Sequence, residues 1–259
     1  MSRGFARNGW PRGSELIQPA DFVAHATPHT KGGWVELVAA AAQDVVGMIV
    51  RSDVAIGVST VDTSMLLDIG VGAGGSELAV VANIPVGGLT TTTLFYLPIA
   101  IPAGSRIAGR IQGAVTVDIF DPNIRLLFGG RPGMWGGYST ADTIGVDTAT
   151  SAPTTGDLAD NAWDEAVAST VNAYRALTFH PCIIPSGTST GGGSLVDIGV
   201  GGAGSEEVLG SFNATGTAAE TITRFEGPPF IETDIPAGSR LAIRKNTTTD
   251  LSGALIGWR

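Results

Sequence analysis

Residues 68–77 read DIGVGAGGSE, and residues 197–206 read DIGVGGAGSE. Each decapeptide sets an aspartate and a glutamate around a glycine-rich core, a composition that suits three kinds of chemistry. Gly70, Gly72 and Gly75, like Gly199, Gly201 and Gly204, satisfy the G-x-G-x-x-G spacing that lets a backbone approach a pyrophosphate. Asp68 and Glu77, with Asp197 and Glu206, offer carboxylate oxygens to a hard cation such as calcium, beside the carbonyls that glycine leaves open. The same residues also make a tight turn whose amides are taken up by the flanking acids.

A dinucleotide site needs the loop to open a helix, with an acid about 20 residues further on. Neither copy obliges: SELAVVANIPVGG and SEEVLGSFNATGT follow, both β-like or loop-like, and no acid stands near position 95. A phosphate loop of the Walker type would also need a lysine, which is missing. Two acids nine residues apart are too few to specify a calcium site, so that question stays open. The expectation is a structural turn: Asp68 and Glu77 flank a hairpin and satisfy its exposed amides, with Ser76 assisting.

Three other patterns invite chemistry. GTSTG at 187–191 fits the G-x-S-x-G nucleophile elbow, but the last histidine, His180, precedes the serine, whereas the triad of that fold needs it after. His180 and Cys182 alternate onto one face of LTFHPCII. The intervening Pro181, and Arg51 and Asp53 at the matching places of the first copy, favour a half-buried strand over a Cys–His nucleophile. His25 and His29 lack partners in HATPHT. No catalytic residue, no cofactor and no metal is expected.

The elements that position these residues come in duplicate. At an offset of 129 residues, Trp34, Glu36 and Val38 fall on Trp163, Glu165 and Val167, and the decapeptides superpose without a gap. IPAGSRIAGR at 101–110 matches IPAGSRLAIR at 235–244, five residues out of step, so an insertion sits in a loop of the second copy. A period this long makes each copy a whole domain and not a stacked repeat unit. In IPAGS, Pro102 and Pro236 preset φ while Gly104 and Gly238 admit positive φ, which makes the motif a turn that needs no ligand.

Short runs rich in β-formers, among them VVGMIVR, VAIGVST, MLLDIGV, LAVVANI, TTLFYLPI, RIAGRIQ, VTVDIF and IRLLF, alternate with turn residues. The expected fold is all-β: two tandem jelly-roll-like antiparallel β-sandwich domains at 28–130 and 160–259, a linker at 131–159 with one short strand, and an N-terminal arm at 1–27. In RIAGRIQ, Arg106, Ala108 and Arg110 alternate with Ile107 and Ile111, which predicts one wet face and one buried face; Arg240 and Arg244 repeat the pattern. WVELVAAAAQDVVGMIV and WDEAVASTVNAYRALTF have some helical spacing, but two strands joined by turns at 41–44 and 170–173 are preferred.

Hydrophobic residues make up 43% of the 259, charged residues 15%, and the net charge is −9. That balance argues against disorder and against nucleic-acid partners, which demand a cationic surface. No apolar run is long enough for a membrane span, and the N-terminus lacks the features of a secretory signal, so synthesis and assembly in the cytosol are expected. The lone cysteine, Cys182, excludes a disulfide framework. Arg3, Arg7 and Arg12, with Trp10, lie at the start without an acid among the first 13 residues, a basic arm suited to docking on a partner.

TPHTKGGWVELV, LLDIGVGAGGSE and IPAGSRIAGR, in this order and spacing, resemble a pattern of structural proteins of tailed bacteriophages. The resemblance spans residues 27–110 and, in the second copy, the glycine motif, IPAGSR and the tryptophan segment. It implies a non-enzymatic virion component, a head decoration or fibre protein or one associated with the tail. Such a protein would assemble in the host cytoplasm as a homo-oligomer, a trimer among the options, and dock on major capsid or tail proteins. It brings no binding residues with it. The alternative is a carbohydrate-recognising module of a receptor-binding protein or adhesin, with Trp10, Trp135, Tyr138 and Trp258 as sugar-stacking candidates.

Overall fold

The computed structural model describes residues 13–18, 20–52, 65–86, 93–114, 119–120, 122–129, 137–146, 158, 160–182, 192–217, 221–226, 230–246 and 252–259. Every regular element among them is a strand. The first half holds β1 (Gly13–Ile17), β2 (Phe22–Val23), β3 (Val35–Val38), β4 (Val45–Ser52), β5 (Met65–Val71), β6 (Leu78–Val86), β7 (Thr93–Leu97), β8 (Ile107–Gly113), β9 (Ile119–Phe120) and β10 (Pro122–Phe128). After β11 (Ala141–Thr143) come β12 (Asp164–Val167), β13 (Tyr174–Cys182), β14 (Gly192–Val200), β15 (Glu207–Thr217), β16 (Thr221–Glu226), β17 (Ile231–Ile235), β18 (Leu241–Lys245) and β19 (Ser252–Trp258).

Strand runs read from the sequence fall on β4, β5, β6, β7, β8 and β10, and VTVDIF ends in β9; VAIGVST lies outside the described residues. The ambiguous tryptophan segments are two strands each, β3 and β4 in one copy and β12 and β13 in the other. Helical spacing loses there because the IPAGS turn needs the chain to reverse. Ala41 and Gly104 exchange backbone hydrogen bonds with the opposite turn (Gly104 N to Ala41 O, 2.7 Å; Ala41 N to Ser105 O, 2.8 Å), and Thr170 and Gly238 repeat the contact at 2.8 Å.

Each half builds two sheets from equivalent strands. In the first, β6-β5-β8-β3 faces β1-β10-β4-β7; in the second, β15-β14-β18-β12, extended by β16, faces β11-β19-β13-β17. Residues of both first-half sheets, such as Met65, Leu67, Ile69 and Ile111 on one and Met48, Val50, Leu97 and Ile124 on the other, join one apolar cluster. Val196, Ile198, Leu241 and Ile243 meet Leu177, Phe179 and Ile231 in the second. These are the packed inner faces of β-sandwiches.

The short strand expected at 131–159 is β11, and it occupies in the second half the sheet position that β1 occupies in the first. β11 runs antiparallel to β19 and parallel to β6. It therefore fuses a sheet of each half into one of eight strands, β17-β13-β19-β11-β6-β5-β8-β3. Period-2 alternation then gives β13 and β19 two buried faces: Leu177, Phe179 and Leu255 enter the second core while Ala176, Ile256 and Trp258 enter the first.

The described part of the N-terminal segment is woven into the fold. β1 pairs along β10 from Gly13 opposite Phe128 to Ile17 opposite Ile124. Phe22 is fully buried, its ring centroid 6.0 Å from that of Phe120. Arg3, Arg7, Trp10 and Arg12 lie outside the described residues.

Candidate functional site

The glycine decapeptides are β-turns that carry a duplicated ionic cluster. Ser76 N bonds Ala73 O at 2.9 Å, and Ser205 N bonds Gly202 O at 3.0 Å, closing four-residue turns between β5 and β6 and between β14 and β15. Gly72 and Gly75 sit at φ 129° and 81°, Gly201 and Gly204 at 122° and 81°, all in the range that disfavours a side chain. Gly104 and Gly238 play the same part in the IPAGS turns, at 79° and 86°. No helix follows either decapeptide, because β6 and β15 begin there.

Gly70 and Gly199 serve differently. A Cβ on Gly70 would lie 2.7 Å from the ring of Trp34, and one on Gly199 would lie 2.7 Å from Trp163. The missing side chain is the seat of the indole. Over each ring stands a guanidinium, Arg110 4.2 Å from the Trp34 centroid and Arg244 4.4 Å from that of Trp163, within cation–π range. Arg110 and Asp68 are opposite each other on β8 and β5, as are Arg244 and Asp197 on β18 and β14. Both arginines donate Nε to the facing aspartate Oδ2 at 2.9 Å.

One pleat away, Arg106 donates Nε to Glu36 Oε2 at 2.8 Å and Nη1 to Glu77 Oε1 at 2.5 Å. Arg240 does the same with Glu165 (2.8 Å) and Glu206 (2.9 Å). Glu36 and Glu165 are half in solvent, whereas Glu77 and Glu206 are 1% and 2% exposed. Burial opposes ionisation of Glu77, but its own amide, Arg106 and the Gly75 amide outweigh it and hold the carboxyl below its ordinary range. Glu206 is held down in the same way by its own amide, Arg240 and the Gly204 amide. All four carboxylates thus accept from arginines, Glu77 and Glu206 from Arg106 and Arg240, Asp68 and Asp197 from Arg110 and Arg244.

This arrangement corrects the expectation of a wet face on β8 and β18. Ala108 and Ala242 are fully buried. They pair with Gly70 and Gly199, so the indoles and guanidinium stems cover the face that alternation alone assigns to water. The signal was present in the recurrence of tryptophan and glutamate in both copies alongside the arginines, although the arginines recur five residues out of step.

In the first copy the carboxylate of Asp68 has further partners. Oδ1 accepts from Lys31 Nζ at 2.7 Å and from Asn83 N at 2.9 Å. Neither Lys31 nor Asn83 stood out in the sequence, since nothing in one dimension brings residues 31, 68 and 83 together. Of the other candidates, His180 sits in β13 beside Ala254, and packing pushes its imidazole down to about 4. Tyr138 (6% exposed) and Trp258 (1%) are buried, stacked with each other and with Phe230 at centroid distances of 5.5–5.9 Å. As sugar platforms they are ruled out by that packing; Trp10 and Trp135 lie outside the described residues. Among the described residues no group of three His, Cys, Asp or Glu side chains is arranged to hold a metal.

No protein-family model matches the chain, and no curated protein matches it. Among solved structures, vicilin from Capsicum annuum aligns over 87% of this chain and 74% of its own, at 9% identity and a TM-score of 0.16. That score is too low to carry an argument about fold or function.

Proposed function

We propose that the chain is a non-enzymatic structural component of tailed-bacteriophage particles, a head decoration or fibre protein or a tail-associated one, that assembles with copies of itself. The observation that carries this reading is the ionic cluster built twice. In each copy the polar side chains of the glycine loop are spent on one another, Arg106 on Glu36 and Glu77, Arg240 on Glu165 and Glu206, so that the loops are locked as scaffold. The resemblance of TPHTKGGWVELV, LLDIGVGAGGSE and IPAGSRIAGR to phage structural proteins supports the same reading. Rigid β-sandwiches with low charge suit repeated packing in a symmetric assembly.

Docking on major capsid or tail proteins would fall to Arg3, Arg7, Trp10 and Arg12. Because β1 and Phe22 belong to the fold, a truncation that tests the arm should stop at residue 12. The decisive experiment is gradient purification of the particles followed by subunit-resolution imaging and immunoblotting. Stoichiometric, ordered copies on the particle are expected; a chain that stays entirely in the soluble lysate would overturn the proposal.

A further inference from the structure

Lys31, Asp68 and Asn83 form a grouping that the scaffold role does not require. Lys31 Nζ contacts Asn83 Oδ1 directly and Asp68 Oδ1 at 2.7 Å. The same Asp68 oxygen accepts from Asn83 N at 2.9 Å, so one carboxylate touches both an amine and the residue that bears a carboxamide. Asp68 is 2% exposed, and its other oxygen is pinned by Arg110 Nε at 2.9 Å, itself over Trp34. Asn83 Nδ2 donates to Val146 O at 2.8 Å, which turns the carboxamide oxygen toward the lysine.

Backbone geometry serves the same contact. The β5–β6 ladder shifts register between Leu67, paired with Ile84, and Ile69, paired with Val81. Two residues thus face Asp68 across the bulge, and Asn83 takes φ 59° there. The second copy acts as an internal control. It keeps the aspartate, arginine and tryptophan, but Asp160 stands at the repeat position of Lys31, and Ser211 donates its hydroxyl to Asp197 at 2.5 Å where Asn83 would be. The structural ion pair is common to both halves; the amine and the carboxamide are confined to the first.

We propose that Lys31 and Asn83 become joined by an intramolecular isopeptide bond, with Asp68 as the proton carrier. Asp68 takes a proton from the Lys31 ammonium, and the freed Nζ lone pair adds to Cγ of Asn83 as the π bond to Oδ1 opens. The carbonyl then re-forms and the Cγ–Nδ2 bond breaks. Both protons shed by Lys31 end on Nδ2, which leaves as ammonium, and Asp68 returns to its carboxylate. The reaction needs no oxidant, cofactor or water. Burial lowers the pKa of Lys31 against the opposing pull of Asp68, which makes the neutral amine easier to reach. The product would tie the segment before β3, which bridges β8 at Gln112, across β5 to β6.

Intact mass of the purified full chain under denaturing conditions tests this. The expected mass is lower than the sequence mass by one ammonia, with a tryptic product in which Lys31 is uncleaved and linked to the peptide containing Asn83. Faster migration in denaturing gels than that of Lys31→Arg and Asn83→Ala is also expected, and both variants should have their full sequence mass. Asp68→Asn should lose most of the cross-link. Recovery of linear Lys31 and Asn83 peptides at the full sequence mass would overturn the proposal. Ammonia loss confined to a linear peptide with Asn83 cyclised on its own backbone would overturn it equally. The wild-type mass decides the matter even if a variant fails to fold.

Discussion

Single side chains in this protein are constrained by what lies against them more than by their own chemistry. Gly70→Ala and Gly199→Ala should each cost about 1–3 kcal/mol, because the added methyl meets an indole at 2.7 Å with an arginine stacked over it. Chemical denaturation read by tryptophan fluorescence would report the loss. The depressed carboxyls of Glu77 and Glu206 set an acid limit. Their folded pKa lies below the unfolded value, so their contribution is present above the ordinary value of 4.5 and is lost as pH falls through the folded value. Glu77→Gln with Glu206→Gln should flatten that part of a stability–pH curve. His180 acts earlier. With a folded pKa of about 4 against 6.5 unfolded, it remains neutral while the unfolded chain binds a proton, so stability falls on acidification from about pH 6.5 toward 4. The loss should be on the order of 1–3 kcal/mol, allowing for its partial exposure, and His180→Phe should abolish it in pH-dependent melts. At this scale the sequence made the glycines legible as turn formers. It left Gly70 and Gly199 indistinguishable from Gly72 and Gly201, because a ring seat and a positive φ look alike in a string of letters.

Elements were the most readable level. Alternating β-formers between Gly, Pro, Asn and Asp mark β4, β5, β6, β8 and β10 because both the pleat and the turns are local properties. What alternation misread was the outer face of β8 and β18, since covering by Trp34 and Trp163 depends on a segment some 70 residues away in sequence. The N-terminal segment was misread for a related reason: β1 has four exposed residues of five and looks like loose chain, yet its backbone completes the edge of a sheet. Removal of residues 1–27 should therefore destabilise the fold as well as remove the arm. Phe22→Ala alone should cost about 3–5 kcal/mol. Differential scanning calorimetry of both variants would show how far the described N-terminal segment supports the fold.

For the molecule as a whole, the consequence of β11 is that the halves share material. Trp258 belongs to the last strand of the second half but is buried in the core of the first, where it donates to Thr178 Oγ1 at 2.9 Å from its indole nitrogen. Asp142, on β11, accepts from Tyr174 OH at 3.0 Å and pairs with Arg259 at 3.5 Å, tying that strand to the second half. We expect a single calorimetric transition, with van't Hoff and calorimetric enthalpies equal, and a downward shift of the entire transition in Trp258→Ala. Two resolved transitions would show that the halves unfold separately. By itself the sequence determined the β class, the duplication and the turns, because these follow from local propensity and from identity between copies; that the repeated acids pair with the repeated arginines came from the tertiary structure. Only the tertiary structure decided that β11 joins the two sandwiches through one sheet, that tryptophan and arginine cover a face drawn as wet, and that Lys31 and Asn83 meet at Asp68. Those outcomes depend on which distant backbones pair and at what register, and a single bulge opposite Asp68 is enough to change which side chains meet.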